Sequence, residues 1–143
     1  MQAEMRSRTY RFGVGLEGNA LLSTGWGEPE RGFVWTEGKA AGLQIPVSAG
    51  VHTVAISMWG YVPDSTPVQE VLIFANGLFK GLFCVKDKAV NQIVQETADL
   101  AKGLELTFYI PTATSPKRAE NSSDERCLGI ALALVQIQTV SAS

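Results

Sequence analysis

The amino-acid sequence predicts an all-β protein, an antiparallel β-sandwich in which a jelly-roll arrangement is favoured over an immunoglobulin-like one. Apolar and polar residues alternate over many short segments, which is the period of a half-buried strand. Glycine and proline separate these segments, and no helical pattern extends beyond two turns. The 143 residues are enough for a single domain with one hydrophobic core.

The first half of the chain is predicted to contain five strands. Residues 1–8 are polar, and we expect a flexible N-terminal tail there. The predicted strands comprise residues 9–16, 19–24, 33–36, 39–47 and 51–62. Residues 25–32 include three glycines and a proline and are predicted to form a loop. His52, Val54 and Ile56 share one face of the fifth strand, and the odd-numbered residues share the other.

A β-hairpin is the clearest local signal in the second half. Asn76-Gly77 separates two apolar runs and favours a type I′ turn, because both central residues accept positive φ. The predicted strands here are residues 68–75, 78–85, 89–95, 104–110 and 128–140. The remaining elements are one short helix near residues 96–102 and a long loop at residues 112–126.

The composition argues against several classes of function. Hydrophobic residues make up 45% of the chain and charged residues 18%, as in ordinary globular proteins. The net charge is −2, and Lys and Arg are spread along the chain, which argues against a nucleic-acid partner. No apolar run reaches the ~20 residues of a membrane span, so none is predicted. Residues 1–8 lack the apolar run of a signal peptide, and we therefore expect a cytoplasmic protein.

Signals for cofactors are weak. Cys84 and Cys127 lie in apolar strand patterns and are expected to be buried free thiols, with a disulfide between neighbouring strands as the alternative. His52 is the single histidine, which argues against a zinc site and against Ser–His or Cys–His catalysis. We therefore expect no cofactor, no metal and no catalytic residue.

Two polar segments, residues 25–36 and 115–126, contain the candidate ligand-binding residues. Aromatic rings pack on the apolar faces of sugars, and forked carboxylate and guanidinium groups bond sugar hydroxyls. The candidate ligand-binding residues are Trp26, Glu28, Glu30, Trp35, Asp124 and Arg126. If both segments lie at one end of the sandwich, they form a shallow polar cleft. Trp35 also fits a core or half-buried position, because it lies at the start of a strand.

Structural roles compete with ligand binding for the same residues. Arg126 can anchor the late loop by pairing with a carboxylate such as Glu28 or Glu30, and this alternative stays open. Trp59 and Tyr61 form a second aromatic pair on one strand face, so the platform for a ligand can instead lie on a sheet.

The order of several motifs resembles that of a known group of domains. These motifs are Gly25-Trp26, Glu28, Glu30, residues 35–40, residues 67–71, Asn76-Gly77, Ser115-Pro116, residues 123–126 and residues 128–130. Over about residues 20–137, the chain resembles β-sandwich domains appended to bacterial glycosyltransferases and other cell-envelope polysaccharide proteins. The resemblance implies a jelly-roll, carbohydrate-binding-module-like domain connected with surface-polysaccharide biosynthesis.

Three functional hypotheses follow. The first is a non-catalytic carbohydrate-binding module whose partner is a glycan or polysaccharide. The alternative is a structural or interaction domain that forms homo-oligomers or docks to a glycosyltransferase, using an exposed apolar edge at residues 68–74 or 78–83. The third is a small sugar-active enzyme, which would need two carboxylates roughly 5–10 Å apart.

Overall fold

The computed structural model describes residues 5–97 and 103–141 and forms two antiparallel sheets packed face to face. The predicted class, an all-β antiparallel sandwich, is confirmed. The strands are β1 (Met5–Arg11), β2 (Val34–Glu37), β3 (Ala40–Ile45), β4 (Gly50–Gly60), β5 (Gln69–Ala75), β6 (Leu78–Val85), β7 (Ala89–Thr97), β8 (Leu104–Tyr109) and β9 (Leu128–Ser141). A 3₁₀-helix spans Glu17–Leu21, and a short α-helix, α1, spans Pro116–Glu120.

The longest strand, β9, organises the five-stranded sheet. That sheet has the order β1-β9-β4-β7, and β2 pairs with β9 beyond the end of β1. Residues 134–140 of β9 pair with β1, and residues 128–132 pair with β2. The other sheet has four strands in the order β3-β8-β5-β6. Because sequence neighbours β3 and β4 lie in different sheets, the chain crosses between the layers repeatedly.

The hydrophobic core lies between the two sheets and follows from the period-two patterns. In β4, the even-numbered residues from His52 to Met58 are fully buried, as the alternation predicts. Burial of each large apolar side chain stabilises the folded state by on the order of 1.5–3 kcal/mol, relative to leaving it exposed. The largest of them are Phe12, Phe108, Leu43, Ile45, Ile56, Met58, Ile73, Leu104, Leu106, Ile110, Ile130 and Leu132. Both sheets therefore contribute to one continuous core.

The predicted hairpin is confirmed as β5–β6. Asn76 and Gly77 have φ values of 49° and 81°, as a type I′ turn requires. The Asn76 side chain also accepts a hydrogen bond from the Glu105 amide at 2.7 Å, which ties the turn to the start of β8.

The N-terminal predictions were wrong in detail. Residues 5–8, expected to be a flexible tail, lie in β1, and the predicted strand at residues 19–24 is replaced by the 3₁₀-helix. Gly13 and Gly15 adopt positive φ and turn the chain out of β1. Asn19 holds this turn, because its amide Nδ2 donates to the Gly13 carbonyl at 2.7 Å. The positive φ of the two glycines and the Asn19 hydrogen bond leave no alternating pattern in the sequence. The sequence therefore could not predict this helix.

Three further predictions can be compared with the structure. The predicted loop at residues 112–126 contains α1, which Ser115 caps by accepting a hydrogen bond from the Arg118 amide. Of the helix expected near residues 96–102, residues 96–97 lie in β7 and the remainder falls outside the described residues. Both cysteines are free, but Cys84 is exposed and Cys127 half-buried, so their predicted burial was wrong.

Candidate functional site

Two tryptophans flank the central strand on the outer face of the five-stranded sheet. Trp35 of β2 and Trp59 of β4 both pair directly with Ala131 of β9, on opposite sides of it. Directly paired residues share a sheet face, so all three point away from the core. Ala131 is nonetheless fully buried, which indicates that its neighbours cover it. A small residue at this position leaves room for the two indole rings above the strand.

Two more rings extend this pair into a cluster. Phe33 precedes β2 and contacts Trp59 and Trp35, with ring centroids 5.0 and 5.8 Å apart. Tyr61 follows β4 and contacts Trp35 at 6.3 Å. All these contacts are edge-to-face, a favourable geometry for aromatic quadrupoles, and all four rings are half-buried. We call Phe33, Trp35, Trp59 and Tyr61 the aromatic platform.

Charged groups lie at two margins of the aromatic platform. The Lys88 ammonium lies 5.9 Å from the centroid of the Trp59 ring. The Tyr61 hydroxyl donates a short hydrogen bond to the Glu120 carboxylate of α1. Desolvation, together with the hydrogen bond and the negative charge of Glu120, raises the pKa of Tyr61 to about 12. The hydroxyl therefore stays protonated and remains a donor at neutral pH.

Arg126 connects the two polar segments that the sequence singles out. Its Nε and Nη2 donate to the Asp124 carboxylate at 3.0 and 2.7 Å, a forked pairing. This hydrogen bond lowers the pKa of Asp124 and raises that of Arg126. Arg126 Nη1 also lies 3.8 Å from Glu30 Oε2. The anticipated pairing with Glu30 is therefore present, and residues 25–36 and 115–126 do meet.

The Arg126 side chain remains accessible to solvent although it pairs with Asp124 and Glu30. Its side chain is 43% exposed, compared with 29% for Asp124 and 40% for Glu30. Glu30 Oε2 is buried and has no hydrogen-bond partner among the described residues, because its 3.8 Å separation from Arg126 Nη1 is an ion-pair distance rather than a hydrogen bond. Asp124 also contributes to the electrostatic environment of Tyr61. The Glu30 amide donates to the Phe33 carbonyl at 2.8 Å, so the polar cluster and the aromatic platform adjoin each other.

Trp26 lies in a different environment from the other predicted aromatic residue, Trp35. Its indole Nε1 donates to the Gly42 carbonyl at 2.7 Å, and its ring packs edge-on against buried Phe108 at 6.1 Å. The ring thus lies against the core, on the side of the four-stranded sheet. Its polar atom is already used, so the structure favours a structural role for Trp26.

The other candidates are placed as follows. Glu28 is an exposed loop residue, and Trp35 is half-buried, as its position at a strand start predicts. The sequence did not indicate three further residues of this surface, which are Phe33, Lys88 and Glu120. They reach the platform only in the folded protein, after β2, β9 and β4 have paired. The alternation in β4 places Trp59 on the odd-numbered face of the strand. This pattern led to the alternative prediction that the ligand platform lies on a sheet.

The single histidine of the chain lies away from the aromatic platform. His52 is buried on the inner face of the sheet, where its Nδ1 bonds to Thr139 Oγ1 at 2.7 Å and burial lowers its pKa. Among residues 5–97 and 103–141, no group of three or more His, Cys, Asp or Glu is placed to hold a metal ion. In the same residues, no helix is long and apolar enough to cross a membrane.

No protein-family model matches the sequence, and no curated protein matches it significantly. Solved structures match its fold. The latent PorU dimer from Porphyromonas gingivalis aligns with a TM-score of 0.57 at 11% identity over 99% of this chain. The CBM22-1 xylan-binding domain of Paenibacillus barcinonensis Xyn10C aligns with a TM-score of 0.57 at 12% identity, covering 99% of this chain and 98% of that domain. A family GH115 4-O-methyl-α-glucuronidase aligns with a TM-score of 0.52 at 13% identity over 87% of this chain.

These likenesses establish the fold alone, because the identities are so low. The carbohydrate-binding-module-like sandwich is confirmed as the architecture. The chain spans 13% of PorU and 17% of the glucuronidase, so it corresponds to a small part of either protein.

Proposed function

We propose that this protein is a non-catalytic carbohydrate-binding module and that the aromatic platform is its glycan-binding surface. The observation that carries the proposal is the row Trp35–Ala131–Trp59, which places two indole rings side by side on an outer sheet face. Sugar rings offer apolar C–H faces that pack on such rings. A similar fold in a xylan-binding domain supports the same class of function.

The polar margin supplies the hydrogen bonds that a sugar needs. Arg126, Asp124 and Glu30 lie at one margin and offer forked donors and acceptors to hydroxyl groups. Arg126 is preorganised by Asp124, which reduces the conformational entropy lost on binding. Trp35, Glu30, Asp124 and Arg126 therefore remain proposed ligand contacts, whereas Trp26 and Glu28 are not required.

The electrostatics favour binding over hydrolysis. A glycosidase needs a carboxylic acid with a raised pKa next to a second carboxylate. Asp124 has a lowered pKa because Arg126 bonds to its charged form, so it is poorly suited to donate a proton. A sugar-active enzyme remains the weakest of the three hypotheses.

The biological setting is also proposed. The motif order resembles domains of cell-envelope polysaccharide proteins, so we infer that the ligand is a surface polysaccharide or its precursor. Binding would then hold the glycan near a glycosyltransferase, in the bacterial cytoplasm. A pull-down with polysaccharide-synthesis enzymes tests the partner, and cell fractionation tests the location.

Calorimetric titration with a panel of soluble glycans, including xylan and arabinogalactan, tests the proposed function. We expect at least one glycan to bind, and Trp59→Ala to weaken that binding by about 10–30-fold. Phe79→Ala is the matched control, because Phe79 is a 57%-exposed ring on the other sheet. Failure of the whole panel to bind, or equal effects of the two substitutions, would refute the proposal.

A second candidate function, homodimerisation, is favoured by the outer face of the four-stranded sheet. Leu82 and Tyr109 both pair with Leu72, so the three form an apolar row across β6, β5 and β8. Phe74 and Phe79 form the next pair, with ring centroids 5.5 Å apart. A second copy of the chain that packs on this face buries the apolar row, and β6, as an edge strand, also offers a backbone edge for pairing.

Sedimentation velocity of the whole chain tests this second candidate. Leu82→Lys puts a charge into the apolar row and is expected to convert a dimer to a monomer. The control is Lys80→Glu, a charge change on the same strand. A wild-type protein that stays monomeric at high concentration would contradict dimerisation without affecting the proposed glycan site.

A further inference from the structure

A row of polar side chains crosses the inner face of the five-stranded sheet at the end remote from the aromatic platform. Arg6 pairs with Thr139, Thr139 with His52, and His52 with Gln95, so the row runs over β1, β9, β4 and β7. His52, Gln95 and Thr139 are all buried. The facing layers of a sandwich are ordinarily apolar, so a polar row on the inner face calls for a physical reason.

The hydrogen bonds of this region are incomplete. His52 Nδ1 bonds to Thr139 Oγ1, but His52 Nε2 has no hydrogen-bond partner among the described residues. The Tyr10 hydroxyl, on the inner face of β1, is buried and also lacks a partner there. Buried polar groups usually have partners, so unsatisfied groups indicate a ligand or solvent position. Asn91 Nδ2 and Thr97 Oγ1 of β7 are likewise unsatisfied within the described residues, on the same inner face. Of these groups, the Tyr10 hydroxyl belongs to a residue that lines a cleft.

A cleft opens where the polar row reaches the edge of the sandwich. Its volume is about 380 Å³, and it lies between the edge strand β1 and residues 46–48, the segment that follows β3. The residues that define its chemistry are Arg6, Arg8, Tyr10, Val47, Ile137 and Thr139. We call it the edge cleft.

The edge cleft combines positive charge with an apolar wall. Arg6 and Arg8 contribute two guanidinium groups, and the lining residues include no carboxylate. The Arg8 guanidinium lies 5.0 Å from the centroid of the Tyr10 ring, which restrains it at the cleft. Val47 and Ile137 supply the apolar part. Forked guanidinium groups match the geometry of carboxylate and phosphate oxygens.

We propose that the edge cleft binds a small ligand bearing an oxyanion, either a carboxylate or a phosphate group. The Arg8 guanidinium pairs with the anion, and the Tyr10 hydroxyl, which has no partner among the described residues, donates a hydrogen bond to the ligand. Val47 and Ile137 contact the ligand's uncharged body. Tyr10 is only 4% exposed, so its hydroxyl is a buried polar group whose desolvation a ligand hydrogen bond would offset.

The edge cleft is separate from the aromatic platform. Ala131 and Ile137 are six residues apart on β9, roughly 20 Å at the rise of an extended strand. They also point to opposite faces of the sheet, because a β-bulge where β9 pairs with Ser57 and Met58 reverses the alternation between outward-facing Ala131 and inward-facing Ile137. Occupation of one site therefore does not block the other, and the two proposals can fail independently.

Two-dimensional amide NMR titrations with inorganic phosphate and with glucuronate test the proposal, and glucose is the neutral control. We expect at least one anion to shift amides of β1 and of residues 46–48, with glucose leaving them unchanged. A response to phosphate alone identifies a phosphate ligand, and a response to glucuronate alone identifies a carboxylate ligand. If neither anion shifts these amides, or if glucose shifts them equally, the proposal is overturned.

Three variants sharpen the test. Arg8→Gln is expected to weaken anion binding by about 10-fold, since a charge-assisted fork is lost. Tyr10→Phe keeps the buried ring and removes only the hydroxyl, so it should fold and weaken binding several-fold. Arg11→Gln is the matched control, because Arg11 points to the other face of the same strand. Equal weakening by Arg8→Gln and Arg11→Gln would show a general charge effect and refute the site.

Discussion

The two outer faces of the sandwich are both rich in aromatic residues, but their surroundings differ. On the five-stranded sheet, four half-buried rings pack edge-to-face and adjoin Arg126, Asp124 and Glu30. On the four-stranded sheet, Phe79 and Leu82 are more than half exposed and belong to a largely apolar row. The first arrangement suits a ligand that is apolar on one side and polar at its edges. The second suits an apolar protein surface.

Removing the large side chains from each outer face in turn is expected to have the largest effect, and it tests whether the two faces differ in function. Trp35→Ala with Trp59→Ala is expected to reduce glycan affinity by about 100-fold or more, because both stacking surfaces are lost. Phe79→Ala with Leu82→Ala should leave glycan affinity unchanged and reduce self-association instead. Calorimetry and sedimentation on the two double variants and the wild-type protein check this. If both double variants lose the glycan equally, the two faces are not functionally distinct.

The next largest effect is expected at Trp26. A substitution there tests whether this tryptophan stabilises the core or contacts the ligand. Trp26→Phe removes the indole donor to the Gly42 carbonyl, which keeps its hydrogen bond from the Ser23 amide at 3.0 Å. We expect a loss of about 0.5–1.5 kcal/mol in the free energy of unfolding, measured by urea denaturation. Glycan affinity at a temperature where the variant is folded should not change. A large loss of affinity with normal stability would return Trp26 to the binding surface.

Arg126 tests whether the polar margin matters to the aromatic platform. Arg126→Gln removes the forked pairing with Asp124 and the charge beside Glu30. Affinity for the glycan should fall by about 10-fold, the effect of losing one charged hydrogen-bonding group. Arg118→Gln, on an exposed residue of α1, is the control. An equal effect of the two substitutions would point to net charge rather than to contact.

The smallest expected effect concerns the ionisation of Tyr61 and appears only at high pH. Its pKa is raised from 10 to about 12, so the folded state favours the protonated hydroxyl. The associated stability is fully present below pH 10 and is lost as pH rises towards 12. Tyr61→Phe should remove this step from the pH dependence of unfolding, and Tyr109→Phe on the other face should retain it. A step that persists in Tyr61→Phe belongs to another group.

Much of the fold could be predicted from local patterns. The strands of the β5–β6 hairpin and the alternating β4 were predicted to within two residues at each end, because turn chemistry and period-two burial are both local. The 3₁₀-helix after β1 was missed, because it depends on the Asn19 side chain returning to Gly13. The α1 helix was missed because its five residues are too few to display a helical period.

The candidate site was predictable only in part. Residues 25–36 and 115–126 were expected to meet, and Arg126 and Glu30 do approach each other. Trp26 and Trp35 were grouped as neighbours in one segment, yet one packs against Phe108 and the other lies on an outer face. Sequence proximity alone could not separate them, since Trp26 pairs with Thr36, which faces inward, whereas its neighbour Trp35 faces outward.

The sequence by itself determined the class of fold, the type I′ hairpin and the inward face of β4, because each depends on residues close together in the chain. Only the tertiary structure decided that Trp35 and Trp59 share a row, since 24 residues separate them and β9 must enter between their strands. The same holds for the edge cleft, where β1 meets the segment after β3. Strand order is set by the packing of the whole core, and local patterns carry almost none of that information.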